Sequence, residues 1–252
     1  MSKDTLVLVT NDDGIHAEGL RALRRALLSS YRVVAVAPDR EQSATSHSLT
    51  LDHPLRVTRM EESVMSVDGT PTDCVLLCFN GLVKEKPGIL VAGINHGPNL
   101  GEDTSYSGTV AAAIEGTLQG VPSVAVSMTG KPPYRFESAC SFTLKLVRLV
   151  LEKGLDSGVL LNVNVPNVPA EEIAGVRIAR LGKRIYRDVI VEKVDPRGKT
   201  YYWIGGNEPT WISGGNTDFS AIESRHISVT PLHLDLTDYG KIAEMESWNL
   251  SP

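Results

Sequence analysis

Adjacent carboxylates at Asp12 and Asp13, inside the run Asn11-Asp12-Asp13-Gly14, repel each other unless something neutralises them. A hard divalent cation that prefers oxygen ligands would remove that cost. A polar turn with an Asp capping the following helix accounts for the same four residues. A second polar stretch runs from Pro38 to Ser48 and offers the hydroxyls of Ser43, Thr45, Ser46 and Ser48, which could cap a helix or line a pocket. In a third stretch Gly93, Gly97 and Gly101 recur at four-residue spacing around Asn95, His96 and Asn99, and glycines allow close approach of backbone to a ligand. Proline and asparagine between them exclude a transmembrane packing motif. Ser107-Gly108-Thr109 then leads into an alanine-rich run. At a helix start, unpaired N–H groups and the positive end of the dipole can hold a phosphate, although a plain serine N-cap explains the same residues.

These stretches matter together because of the elements that must carry them. Short β-branched runs at 5–10, 32–37, 89–92, 123–127 and 159–165 alternate with longer amphipathic ones, the pattern of βαβ units and a mostly parallel sheet. Their near-continuous Val, Leu, Ile and Ala content suits strands buried on both faces. Leu20, Leu23 and Leu27 recur at helical spacing, and Thr70-Pro71-Thr72-Asp73 opens a further helix with a cap, an N1 proline and an acid at N3. Helices are also expected over 109–119 and 137–153, and a small β-hairpin over 54–68. In an open α/β sheet, ligands bind beyond the carboxyl ends of the strands. All four polar stretches fall at that edge and together describe a metal-and-phosphate site.

After Pro166 helical periodicity fades, and two runs, 189–194 and 201–204, flank the turn-rich Asp195-Pro196-Arg197-Gly198-Lys199 as a hairpin outside the parallel sheet. All three tryptophans, and Tyr186, Tyr201, Tyr202 and Tyr239, lie in this last third. That is more aromatic surface than a two-stranded ribbon can bury alone, so a partner surface is expected. The chain divides accordingly into a core over 1–170 and an arm with a closing segment over 171–252.

Twenty-five basic against 30 acidic residues give a net charge of −5, with no Lys/Arg-dominated stretch, which argues against a nucleic-acid duplex as partner. Three cysteines in 252 residues make no disulfide framework and read as buried thiols. The opening run meets two acids too soon for a signal-peptide core, and no apolar run reaches the roughly 18 residues of a membrane span, so a cytoplasmic protein without a membrane partner is expected. P-loop, dinucleotide-binding, zinc-protease, nucleophile-elbow and C-x-x-C motifs do not occur. The six histidines lack ligand spacing, which disfavours zinc, though His47 and His96 fall on the candidate loops.

The segments VTNDDGI (9–15), APDREQSATSHSLT (37–50), GTPTDCV (69–75), GINHGPNLGEDTSYSGTVAAAIEG (93–116), NVNVP (162–166) and SVTPL (228–232) resemble the SurE, or survival protein E, family of metal-dependent 5′/3′-nucleotidases over almost the whole chain. Ala44 departs from it, standing where many members have glycine. The resemblance implies a Rossmann-like fold with metal ligands at Asp12, Asp13, Ser43 and Asn95. It also implies phosphate contacts at Asn11 and at the helix start Ser107, Gly108 and Thr109; Gly14 closes the first loop and joins them. An oxygen-only ligand set points to one Mg²⁺ or Mn²⁺ per subunit. The expected reaction is hydrolysis of nucleoside 5′-monophosphates, with 3′-monophosphates open. Asp12 or Asp13 would act as base or attack directly. A homodimer or dimer of dimers through the arm is implied as well. Two other readings share the acid pair. A signalling receiver would need a phospho-accepting Asp where this chain has Asn95, and a non-catalytic nucleotide-binding module would show no turnover with added metal.

Overall fold

The computed structural model describes residues 4–185, 190–204, 210–212, 214–248 and 250; Tyr186 and Val189 lie outside them. Strand β1 (Leu6–Thr10) leads through helix α1 (Glu18–Leu27) to β2 (Arg32–Pro38), and the pair β3 (Val57–Glu61) and β4 (Val64–Val67) precedes α2 (Pro71–Leu77). Strand β5 (Ile89–His96), α3 (Gly108–Leu118), β6 (Ser123–Met128), α4 (Phe136–Lys153) and β7 (Val159–Val165) complete the alternating part. Beyond it come β8 (Gly175–Ile178), β9 (Arg184–Ile185), β10 (Ile190–Val194), β11 (Thr200–Ile204), β12 (Thr210–Trp211), α5 (Asp218–Glu223), β13 (His226–His233) and α6 (Tyr239–Glu246).

Among the described residues nine strands form one sheet, in the order β3-β4-β2-β1-β5-β6-β7-β13-β8. The run from β4 to β7 is parallel throughout, which makes this a Rossmann-like α/β fold. Its strands are apolar on successive residues because both faces are covered. Val7, Val9, Val33, Ile89, Val91 and Val124 pack with Leu20, Leu23 and Leu27 of α1 and with Val147 and Val150 of α4. Leu6, Leu8, Val34, Val36, Leu90 and Ala92 pack on the other face with Cys74 and Val75 of α2 and with Val110, Ala112 and Ala113 of α3. Helix α2 starts where its local sequence requires: Thr70 Oγ1 accepts from Asp73 N at 3.1 Å, and Thr70 N donates to Asp73 Oδ2 at 2.9 Å. All three cysteines are buried free thiols, and burial pushes Cys78 up to about 12.

Three features depart from the sequence expectations. The third parallel strand does not stop at Ala92 but runs on to His96, resuming its pairing with β6 at Asn95 after a register shift. Gly93 makes this possible, with φ +136° and with its ideal Cβ position only 2.3 Å from Val126 O. The expected hairpin at 54–68 is also the edge of the main sheet, because β4 lies parallel to β2. Finally, β13 enters the sheet antiparallel to β7 and parallel to β8, burying Ile227 and Val229 against the core. The β10–β11 hairpin stands apart as its own two-stranded sheet. Among the described residues no helix is long and apolar enough to cross a membrane.

Candidate functional site

The loops after β1, β2 and β5 and the first turn of α3 meet at the carboxyl edge of the sheet. Gln42 N donates to Asp12 O at 2.7 Å, which brings the loop carrying Ser43 against the acid pair. Thr109 N donates to Asp12 Oδ2 at 3.1 Å, and Thr109 Oγ1 donates to Asp12 Oδ1. One of the unpaired N–H groups of the helix start is thus held by a carboxylate from 97 residues away. The approach depends on Gly108, whose ideal Cβ would lie 2.8 Å from Asp12 Cβ and 3.0 Å from Asp12 Oδ2. Burial raises the Asp12 carboxyl above the usual carboxylate range, against the opposing pull of the Thr109 bonds.

Asp13 is held from the extended end of β5. His96 N donates to its Oδ2 at 3.2 Å, and His96 Nδ1 lies 3.5 Å from its Oδ1. Because Gly19 N, at the start of α1, donates to His96 Nε2 at 3.4 Å, the ring proton belongs on Nδ1, facing Asp13. Burial and the neighbouring Asp12 charge push Asp13 up to about 7, with Glu41 adding to the repulsion. Burial lowers the His96 imidazole. Neither Glu41 nor the His96 contacts were assigned from sequence. Both residues sit in the polar stretches, but which way they face depends on the fold.

The other expected residues take varied positions. Asn95 Nδ2 donates to Gly97 O at 2.9 Å, a bond that does not use its Oδ1. Ser43 is exposed, and its hydroxyl donates to Glu41 Oε1 at 2.5 Å. Asn11 Nδ2 donates to Gly14 O at 3.1 Å, while Asn11 Oδ1 is buried with no hydrogen-bond partner. Ser107 Oγ accepts from Val110 N at 3.0 Å and so serves as the N-cap, and among the described residues the Gly108 N–H of the same turn has no hydrogen-bond partner.

Among the described residues no three of His, Cys, Asp and Glu stand together as a metal cluster. A cation here would therefore rest on two carboxylates and complete its shell from neutral oxygens. The donor chemistry suits that arrangement: a buried and a half-buried acid at mutual cost, an Asn carbonyl and an orphaned Asn11 Oδ1 are what a hard, oxygen-seeking ion satisfies.

The loop over this site is strained at two non-glycine residues, Ala44 with φ 57° and Ser46 with φ 53°. His47 Nε2 pairs with Glu115 of α3 at 2.9 Å, and Ser46 Oγ donates to Ser105 O at 2.7 Å, so packing holds the strain in place. Ala44→Gly is expected to keep or raise stability, by up to about 1 kcal/mol, reversing the usual sign of an Ala-to-Gly change because only glycine is at ease at this φ. Urea denaturation of the two proteins measures it, and a loss above about 0.5 kcal/mol would contradict the strain.

The family model described as "Survival protein SurE" matches residues 7–188. The 5′-nucleotidase SurE of Geobacter sulfurreducens is 54% identical over 246 residues, covering 97% of this chain and 94% of the relative. That of Geotalea uraniireducens is 50% identical, covering 97% and 99%. The crystal structure of the SurE protein from Aquifex aeolicus superimposes with a TM-score of 0.87 at 41% identity, covering 97% of this chain and 100% of that one.

Proposed function

The chain belongs to the SurE family, and from that premise we propose that it is a divalent-cation-dependent phosphomonoesterase releasing phosphate from nucleoside 5′-monophosphates. The observation that carries the reading is the junction of Asp12 with the first turn of α3, which sets an acid pair beside a helix start. In this reading Asp12, Asp13, Ser43 and Asn95 hold one Mg²⁺ or Mn²⁺, which polarises the phosphoryl group and lowers the pKa of water when bound. On the same reading the Gly108 N–H, Asn11 and Gly14 would contact the phosphate oxygens, and the α3 dipole would oppose charge developing there. Thr109 donates to both Asp12 oxygens and so holds the carboxylate still, which supports reading Asp12 as a ligand. In this reading Asp13 would take a proton from the attacking water.

A panel of nucleoside 5′- and 3′-monophosphates assayed with Mg²⁺, Mn²⁺ or EDTA tests this. Phosphate release from the 5′ compounds that stops in EDTA is the expected result, and equal turnover in EDTA would refute the cation dependence.

The hairpin β10–β11 fits the role of an oligomerisation arm. Ile190, Val194, Tyr202, Trp203 and Ile204 are all exposed on it, and a lone ribbon does not keep such surface in water. Exchange of arms between identical chains about a two-fold axis would cover that surface. Replacing residues 192–203 with a short Gly-Ser turn should reduce the mass seen by light scattering. An unchanged mass with greatly reduced kcat would make the hairpin a lid instead.

A further inference from the structure

The loop from β5 to α3 brings Ser107, Gly108 and Thr109 into place, and two buried anchors hold it. The first is Asn99, whose N–H donates to Asn164 Oδ1 at 2.9 Å, whose side chain donates to Ser127 Oγ at 2.7 Å, and whose carbonyl accepts from Asn162 and Asn164. The second anchor comes from the far end of the chain. Asp218, with no exposed surface, accepts from Gly101 N through Oδ2 at 2.7 Å, and from Gly182 N at 2.8 Å and Phe219 N at 2.9 Å through Oδ1. Three chain segments meet here with no room for a further side chain. An ideal Cβ on Gly101 would sit 2.7 Å from Phe219 Cε2 and 2.8 Å from Gly182 O, and one on Gly182 would sit 2.3 Å from Phe219 Cδ2.

What Asp218 grips on this side is the segment that enters β9. Gly182 leads directly into β9, whose partner β12 carries Trp211, stacked on Phe219 with ring centroids 4.9 Å apart. An outer bond reinforces the junction, since Arg184 N donates to Glu102 Oε2 at 2.7 Å and the Arg184 guanidinium pairs with Asp103. Strand β9 is therefore fastened to the loop that ends at the α3 start, and β12 follows it through their pairing.

We propose that Asp218 is a positioning residue that locks the loop presenting the Ser107–Thr109 helix start to the segment entering β9, so that the phosphate cradle is held at a fixed place on the sheet edge. The proposal rests on the reading of that helix start as the phosphate side. Asp218 touches no substrate; it acts through Gly101. Two carboxylate oxygens suit this junction because every group facing them is an N–H donor.

Asp218→Asn keeps the volume but turns an N–H against one of those donors, leaving a bond unmade. In the full-length variant, hydrogen exchange of the 99–105 and 180–185 amides is expected to quicken. KM for the nucleoside monophosphate and Ki for inorganic phosphate should rise together by about tenfold, with kcat and Mn²⁺ affinity nearly unchanged, as displaced binding without altered chemistry requires. Faster exchange with unchanged KM and Ki would overturn the positioning role, and unchanged exchange would overturn the lock itself. If Asp218→Asn does not fold, Glu102→Ala decides. Glu102 is exposed, and losing its bond to Arg184 N should raise KM in the same direction by a smaller factor. No change there in exchange or KM would overturn the proposal. A wild-type chain that turns over no nucleotide would instead refute the proposed function, while the exchange data would still report on the lock.

Discussion

Asp13→Asn is expected to cut cation-dependent phosphate release by roughly three orders of magnitude or more while making the cation-free protein more stable above neutral pH. On the proposed mechanism, the first effect follows from losing one of two charged ligands and the acid assigned to take the water's proton. The second follows from the direction in which the fold moves the Asp13 carboxyl. Burial and the Asp12 charge raise its folded value to about 7, well above its value in the unfolded chain. The stabilisation from its protonated form is therefore complete below about pH 4 and is lost as pH rises towards 7, at about 1.4 kcal/mol for each pH unit between the unfolded and folded values. Thermal melts in EDTA should thus show the wild-type Tm falling across that window while Asp13→Asn changes less. Mg²⁺ or Mn²⁺ at pH 8 should then restore the wild-type Tm and leave the variant's unchanged. Undiminished turnover in the variant, or a wild-type melt indifferent to both pH and cation, would remove Asp13 from the ion site.

Gly108→Ala is expected to lower kcat/KM by at least about 10²-fold, because a single methyl group must displace either Asp12 or the first turn of α3. Its carbon would stand 2.8 Å from Asp12 Cβ, 3.0 Å from Asp12 Oδ2 and 3.1 Å from Thr45 Oγ1. Since Asp12 is the nearest group, cation affinity and KM should worsen together rather than KM alone. Loss of a close glycine contact inside a buried junction also costs stability, on the order of 1–3 kcal/mol, as overpacking does elsewhere. Cation titration by calorimetry, with KM measured separately, distinguishes the cases. Normal cation binding with a raised KM would mean that Asp12 yields freely and that Gly108 serves the phosphate alone.

Parts of this site are legible in the sequence because their causes are local. The α2 start needs only Thr70, Pro71 and Asp73, three residues that satisfy one another's backbone, and it forms as expected. The parallel strands announce themselves because burial on both faces forces consecutive apolar residues, as in the wholly buried Leu6–Thr10. Strand β13 carries a weaker signal. Thr230 and Pro231 interrupt its apolar run, and it gains its place by pairing with β7 and β8, neither of whose sequences specifies that neighbour.

Element types, the edge of the sheet where polar loops gather, and the residue types that could hold an ion and a phosphate all follow from the order of the amino acids. What each group faces follows from the packing. Thr109 N–H, at the helix start expected to meet a phosphate, donates to Asp12, because the α3 start packs close enough for a protein carboxylate to reach it. Asp218 carries no signal of its own, since an acid opening a short helix reads as an ordinary first-turn residue. Its role arises from Gly101, 117 residues away, and Gly182, 36 residues away, arriving at the same buried point. Propensity and periodicity are set by neighbours within a few residues. Contacts between segments this far apart exist only once the sheet order and the packing of both its faces have been chosen.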